Sequence, residues 1–523
     1  MIKRIFLATA FFLFLSATGL FAQAKLSIDK VYTAYLRNSG TIMANSQIKG
    51  YFFLYQSDKI DKHTNEYTLQ ILDENLNKVR EIKFEDSKKL SLLESAYNGN
   101  SLSFLFKNEE NKTLDMKIYD LEGKLKYTYS REFDKRTDDL MKRYETMHTD
   151  EGTNQNVFDL GGQGYASVLP LRDGKQRTYE VDYYASEQKK QWVYQPQDDE
   201  ERYANAEFMG STDSLIILEV IKRDRALSGK FTSHLVGINF VTKKKVFDID
   251  DSKDTYTFVP SSVIPKKDNS GILLMGSYFD KGDNIMKDFS KGLALYTINS
   301  NGDILTKTYN SWQDDFGKYL SLNSKGKIDN IGFLYIHKLI QTPEGKIFVV
   351  GEGYKRQANA SGIALTALGA MAGVRQNAVG VTKIVVTDMV MMEFNSKYKV
   401  INATIYDKTN NTVEASTESD YSSQHAIALQ VKMRGGFDYE FTTTQNDNSN
   451  FAVCYGDWVR NSDYKGETFN TILYNGNKFS TDKIELKSKA TRMKVFPAKS
   501  GSVMIMEYFR KEKRLDFRLE KLG

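Results

Sequence analysis

The chain has 523 residues, a formal net charge of +5 at pH 7 and a single cysteine. This near-neutral balance argues against binding of nucleic acid or anionic lipid through bulk charge. Aromatic residues make up 12% of the chain, with 31 Tyr and 31 Phe against only 6 Pro. This composition favours β-sheets, and one cysteine excludes a disulfide framework.

The first 24 residues have the three parts of a secretory signal peptide. A basic region, residues 1–4, precedes an apolar stretch over residues 5–21 and the small-residue site Ala22-Gln23-Ala24. Cleavage after Ala24 or after Ala22 fits this pattern, and an uncleaved membrane anchor is the alternative interpretation. No cysteine lies near the cleavage site, so we expect no lipoprotein. The pattern predicts an exported protein, periplasmic or extracellular, with no transmembrane span after cleavage.

Residues 271–309 show the pattern that recurs through the rest of the chain. Two apolar and aromatic runs are separated by a polar stretch, and the tight-turn pair Asn301-Gly302 precedes a third alternating run. A further run lies just upstream, at residues 257–265. Four antiparallel strands in about 50 residues is the size of one propeller blade.

The same pattern occurs eight times, although the copies share little sequence. We therefore predict an all-β protein, a β-propeller-like ring of seven or eight four-stranded antiparallel blades with one short helical insertion. A run of hairpins in sandwiches or a solenoid is the alternative. No Pro-, Gly- or Ser-rich linker divides the chain, so residues 25–523 are expected to form one domain. The copies begin near residues 51, 101, 165, 215, 271, 346, 451 and 503.

The two ends of the chain are expected to meet. Residues 31–36 alternate like a strand but belong to no complete unit, and the last unit, residues 492–521, shows three strands. An N-terminal strand can complete the last blade of a ring and remove its open edge. We predict that residues 31–36 pair with the strand around residues 515–519.

An apolar insertion, residues 358–380, interrupts the sixth unit. Its Ala, Leu and Met favour a helix, and Gly369 and Gly373 have the spacing that lets helices approach closely. The apolar part is too short to span a bilayer. One interpretation is a helix packed on its own ring. The other is a partner-contact element, for which the candidate residues are Ile363, Leu365, Leu368, Met371 and Val374.

The sequence shows few of the motifs that mark catalytic or metal-binding sites. The chain has neither a Gly-x-Ser-x-Gly elbow nor a Gly-x-x-x-x-Gly-Lys phosphate loop, and its five histidines have no ligand spacing. We therefore predict no catalytic residue, no metal ligand and no cofactor. Residues 248–254 contain four carboxylates, which predicts either a calcium loop or a solvated turn. Cys454 and the three tryptophans are expected to pack in the core; a tryptophan stacking on a sugar is the alternative.

The sequence resembles a group of exported, functionally uncharacterised β-repeat proteins common in Bacteroidota. The resemblance rests on the leader end FAQA, the Tyr/Phe/Lys/Asn-rich units, and the run KIFVVGEGYKRQANASGIALTALGAMAGV continuing to GVTKIVVTDMVMMEFN. It implies export but no activity.

Our leading hypothesis is a non-enzymatic binding or scaffold protein of the cell envelope, contacting a protein partner through the insertion. A glycan-binding or glycan-cleaving propeller is the first alternative, since paired carboxylates and aromatic rings are what such sites need. A calcium-stabilised structural protein is the second.

Overall fold

Runs of aromatic and β-branched residues separated by tight turns favour antiparallel hairpins. In the computed structural model these hairpins form eight antiparallel sheets, each built on a path of four strands. The structure describes residues 24–44, 47–135, 138–139, 156–173, 176–197, 202–225, 231–250, 254–266, 271–285, 287–360, 381–413, 423–444, 448–460, 463–499 and 501–522. The predicted all-β propeller is confirmed, with eight blades.

Each blade runs from an inner strand beside the central channel to an outer strand at the rim. Strand β1 (Lys25–Ile28) belongs to blade 8. Blade 1 consists of β2 (Thr33–Ala34), β3 (Gly40–Ala44), β4 (Gln47–Lys59), β5 (Thr64–Asp73) and β6 (Lys78–Ser87). Blade 2 consists of β7 (Leu90–Tyr97), β8 (Ser101–Asn108), β9 (Thr113–Asp120) and β10 (Leu125–Glu132). Blade 3 consists of β11 (Val157–Asp159), β12 (Gly164–Asp173), β13 (Gln176–Ala185) and β14 (Gln191–Tyr194), and blade 4 consists of β15 (Ala204–Ser211), β16 (Leu215–Lys222), β17 (Thr232–Asn239) and β18 (Lys244–Ile249).

Blades 5 to 8 follow the same order of strands. Blade 5 consists of β19 (Tyr256–Pro265), β20 (Gly271–Asp280), β21 (Gly292–Asn299) and β22 (Ile304–Ser311), and blade 6 consists of β23 (Phe333–Gln341), β24 (Ile347–Ala358), β25 (Thr382–Phe394), β26 (Val400–Tyr406) and β27 (Asn411–Val413). Blade 7 consists of β28 (Tyr439–Thr444), β29 (Phe451–Arg460), β30 (Lys465–Tyr474) and β31 (Phe479–Glu485). Blade 8 consists of β32 (Arg492–Pro497), β33 (Ser502–Phe509) and β34 (Arg514–Lys521), and β1 is its outer strand.

The apolar core lies between neighbouring blades. Eight buried clusters among the described residues each join one blade to the next around the whole ring. Aromatic rings make many of these contacts: Phe158 of blade 3 stacks on Phe208 of blade 4 with ring centroids 4.2 Å apart. Cys454 is buried between blades 7 and 8, as predicted.

The predicted turn at Asn301-Gly302 is also present and serves this packing. Gly302 has a φ of 95°, which glycine adopts without strain. A Cβ at this position would lie 2.5 Å from the Cβ of Phe247 in blade 4. The turn of blade 5 therefore packs against its neighbour only because it carries a glycine.

The N-terminal strand closes the ring, but with a segment different from the predicted one. Strand β1 pairs antiparallel with β34, with Ile28 opposite Leu515 and Lys25 opposite Arg518. The prediction that residues 31–36 make this pairing was wrong. Lys30, with a φ of 61°, turns the chain, and Thr33–Ala34 pairs with β4 in blade 1. The apolar residues of 31–36 face the interface between blades 8 and 1 instead.

The helix α1 (Gln424–Met433) lies between blades 6 and 7 and was not predicted. The Ser423 hydroxyl accepts a hydrogen bond from the Ala426 N–H at 3.1 Å and caps it. Ile427 and Val431 pack on the extended hairpin formed by β24 and β25. The predicted helical insertion lies outside the described residues at 361–380. In the described part of the chain every helix is too short or too polar to cross a membrane.

Ring closure gives a direct test. A chain starting at Asp29 lacks β1 and uncovers the edge of β34, so we expect it to unfold at a lower temperature and lower denaturant concentration than a chain starting at Ala24. Lys25→Ala in the longer chain removes only an exposed side chain and should change stability by less than about 0.5 kcal/mol. Equal unfolding curves for the two chain lengths would contradict closure by β1.

Candidate functional site

The inner strands of blades 4 to 7 surround a cavity of about 460 Å³ in the central channel. This volume is within the range of small-molecule sites, about 300–1,000 Å³. It extends along seven residues of β23, from Tyr335 to Gln341, or about 20 Å of strand. The wall contains polar and aromatic side chains of all four blades, together with Lys432 from α1.

Four aromatic rings form one side of this cavity. The ring of His337 lies parallel to that of Tyr439, with centroids 4.5 Å apart, and meets Phe437 edge-on at 5.0 Å. Tyr335 stacks on Phe437 at 4.7 Å. Rings from blade 6 and from the approach to blade 7 are therefore packed together, which makes this side of the cavity rigid.

A buried carboxylate behind the rings connects the same two blades. Glu352 of β24 accepts hydrogen bonds from His337 Nε2 at 2.9 Å and from the backbone N–H groups of Asp438 at 3.1 Å and Tyr439 at 3.2 Å. The buried Lys408 ammonium lies 3.2 Å from Glu352 and also pairs with Asp438. This ionic cluster satisfies each of its charges internally, as burial demands.

The pKa values in this cluster follow from burial and pairing. Burial lowers the pKa of His337 more than its hydrogen bond to Glu352 raises it, so the imidazole is neutral at pH 7. Burial opposes the charge of Glu352, but the bond from His337 and the charge of Lys408 together lower its pKa. Burial raises the pKa of Asp438 to about 6, partly offset by Lys408.

A second ion pair crosses the channel from α1 to blade 4. Lys432 Nζ lies 2.5 Å from Glu207 Oε1, and both side chains also line a smaller cavity of about 110 Å³. Glu207, Lys432 and Tyr335 are among the residues that line both cavities. Burial opposes the charge of Lys432, but the neighbouring Glu207 and Tyr335 raise its pKa overall.

Glu219 lies on the smaller cavity, opposite Glu207 in the pairing of β15 and β16. Burial raises its pKa to about 8, and the negative charge of Glu207 adds to this effect. Its carboxyl is hydrogen-bonded to the Ser233 hydroxyl, 2.9 Å away. Glu219 is thus mostly protonated at pH 7, while Glu207 is paired with Lys432.

Several polar side chains of the larger cavity have no partner in the described part of the chain. They are Ser262, Lys338, Gln341 and Thr444, from the inner strands of blades 5, 6 and 7. Side chains that hydrogen-bond to no protein atom keep their donors and acceptors for water or a ligand. The larger cavity therefore combines rigid rings with uncommitted polar groups.

The residues predicted from sequence do not lie in this site. The five partner-contact residues, Ile363, Leu365, Leu368, Met371 and Val374, lie outside the described residues. Of the carboxylates at 248–254, Asp248 contacts Lys222, Lys245 and His234, and Asp254 pairs with Lys307. No group of three or more potential metal ligands occurs among the described residues.

The tryptophan prediction holds for Trp192 and Trp312, which are buried, but not for Trp458, which is 40% exposed. Sequence reasoning missed the cavity itself. A local signal is the polar pair His337-Lys338, which lies between the apolar residues Ile336 and Leu339 of this inner strand.

Comparison with known proteins establishes the family. A model of a family of unknown function, DUF6770, matches residues 1–523. The chain belongs to the DUF6770 family. None of the curated proteins matches this DUF6770 chain in sequence.

Several solved structures resemble the DUF6770 chain at low sequence identity and low TM-score. Prolyl oligopeptidase B from Galerina marginata is 7% identical with a TM-score of 0.40, covering 90% of this chain and 55% of that one. An oligogalacturonate lyase in complex with manganese is 10% identical with a TM-score of 0.36, covering 91% and 97%. The WD40 domain of SCAP from fission yeast is 8% identical with a TM-score of 0.35, covering 95% and 92%. Similarity at this level carries no argument about function.

Glu219 of the DUF6770 protein should make stability depend on pH. Between its ordinary pKa of 4.5 and about 8, the unfolded chain releases the proton while the folded chain keeps it. Each pH unit in this window costs the native state about 1.4 kcal/mol. Glu219→Gln cannot ionise, so its stability relative to wild type should rise from pH 5 to pH 8.

Urea unfolding at the two pH values measures this difference. Glu85→Gln, an exposed position on β6, is the matched control and should show no comparable gain. A difference in unfolding free energy between Glu219→Gln and wild type that is equal at pH 5 and pH 8 would contradict the raised pKa.

Proposed function

We propose that this protein is an exported, non-enzymatic binding propeller that takes a small polar ligand into the larger cavity of its channel. The observation that carries the proposal is the set of uncommitted polar side chains beside rigid aromatic rings in a cavity of about 460 Å³. Binding sites of this kind combine a preformed apolar wall with a few polar groups that orient the ligand. The N-terminal signal-peptide pattern supports export.

A binding role also fits how the titratable groups are engaged. His337 is hydrogen-bonded to Glu352, and Glu207 is paired with Lys432, so neither is an uncommitted base facing the cavity. General acid–base catalysis needs a proton donor or acceptor within reach of the substrate. This engagement of His337 and Glu207 favours holding a ligand over acid–base catalysis by these two groups.

A glycan is the ligand class that the rings favour. Tyr335 and Tyr439 present aromatic surface beside hydroxyl and amide groups of Ser262 and Gln341. Saccharides combine apolar ring faces with hydroxyl groups and match such a wall. Glycan binding is accordingly the ligand hypothesis to test first.

Filling the cavity tests the binding proposal. Ser262→Phe places a ring in the wall, and Ser480→Phe, on the exposed outer strand of blade 7, is the control. We expect at least one class among neutral saccharides, acidic saccharides, amino acids and short peptides to raise the melting temperature of wild type and of Ser480→Phe. Ser262→Phe should lose the effect. Binding that survives Ser262→Phe, or no shift with any class, would overturn the proposal.

The insertion at 358–380 remains our candidate contact with an envelope protein. It begins at Ala358, which pairs with Thr382 at the far end of the extended β24–β25 hairpin. Replacing Leu365, Leu368 and Met371 together with lysine should abolish capture of that partner from envelope fractions without lowering the melting temperature. Capture equal to that of wild type would count against this element.

A further inference from the structure

Lys338 is the charged residue of the larger cavity that has no partner among the described residues. Lys432 pairs with Glu207, and Lys408 behind the rings pairs with Glu352 and Asp438. The Lys338 side chain is open to the channel, at the middle of β23. The side chain is exposed, but the protein atoms of the surrounding wall partly desolvate it and lower its pKa, and no carboxylate offsets this effect.

A β-bulge explains how Lys338 reaches the cavity beside its neighbour. Ile336 pairs with Gly351 and Lys338 with Val350, so His337 is the extra residue of the bulged strand. In a regular strand consecutive side chains point to opposite faces, and a bulge changes their direction. Here His337 and Lys338 both line the cavity, with His337 turned to Glu352 and Lys338 left open.

The charge of the wall is unbalanced as a result. Among the described lining residues Glu207 and Lys432 cancel, and His337 is neutral because burial lowers its pKa. The ammonium of Lys338 is then left as a formal charge of +1. The Lys338 ammonium is exposed to solvent in the channel and has no pair among the described residues. An anionic group of a ligand would supply that pair, and a charge-assisted hydrogen bond is about twice as strong as a neutral one.

We propose that the ligand is a small polar molecule carrying an anionic group, a carboxylate, sulfate or phosphate, that binds the Lys338 ammonium. Ser262, Gln341 and Thr444 hydrogen-bond the rest of the molecule, and the ring wall packs on its apolar face. This inference rests on the proposed function and names the chemical class that the same cavity selects.

Two sugars that differ only at C6, a carboxylate in glucuronate and a hydroxymethyl group in glucose, separate the contribution of the anion from that of the sugar ring. Glucuronate and glucose are titrated calorimetrically into the full chain, with inorganic sulfate and phosphate as competitors. We expect glucuronate to bind wild type at least tenfold more tightly than glucose. Competition by sulfate or phosphate identifies which kind of anion the ammonium prefers.

Variants at Lys338 test whether this one side chain causes the preference for glucuronate over glucose. Lys338→Gln should weaken glucuronate binding at least tenfold and leave glucose unchanged, whereas Lys338→Arg should retain most of the preference. Lys397→Gln, in an exposed turn of the same blade, should change nothing. Thermal unfolding of each variant verifies that it is folded.

The outcomes distinguish the inference of an anionic ligand from the broader proposal that the cavity binds a small polar ligand. Equal binding of glucose and glucuronate, unaffected by Lys338→Gln, overturns the anion inference while leaving a binding cavity. Failure of all four probes to bind also overturns it. In that case the binding proposal stands only if another ligand class shifts the melting temperature and loses the shift in Ser262→Phe.

Discussion

Apolar packing between neighbouring blades is the interaction on which the rest of this structure depends. A four-stranded sheet with apolar residues on both faces cannot bury them alone. Each blade therefore covers its neighbours, and the eight buried clusters continue around the ring without a break among the described residues. The single cysteine excludes internal disulfides, so this packing and the closure by β1 must hold the ring together.

Buried carboxylates fix the relative position of neighbouring blades, which nonspecific apolar packing leaves open. Glu352 of blade 6 accepts the successive backbone N–H groups of Asp438 and Tyr439, at the start of blade 7. Glu94 of blade 2 does the same with Asn156 and Val157, at the start of blade 3, each at 3.1 Å. A buried carboxylate is costly unless its hydrogen bonds are satisfied. Both groups thereby fix how the inner strand of one blade sits against the preceding blade.

The central channel is a consequence of the same arrangement. Closing a ring brings the inner strands together around an axis, where polar side chains from distant parts of the chain meet. Blades 6 and 7 are joined there by aromatic rings, and α1 reaches across to blade 4 through Lys432 and Glu207. Helix α1, the bulge of β23 and ring closure meet here, and they form a cavity with one unpaired ammonium among the residues that the structure describes.

The sequence by itself determined the all-β class, the eight units and turns such as Asn301-Gly302, because strand alternation and turn residues are local signals. It did not determine which N-terminal segment closes the ring, since 25–28 and 31–36 both alternate and only the turn at Lys30 separates them. Helix α1 has few fully buried apolar positions, and its packing on the β24–β25 hairpin stabilises it. Only the tertiary structure decided the cavity, because Glu207, Lys338 and Lys432 are far apart in the chain and meet solely through ring closure.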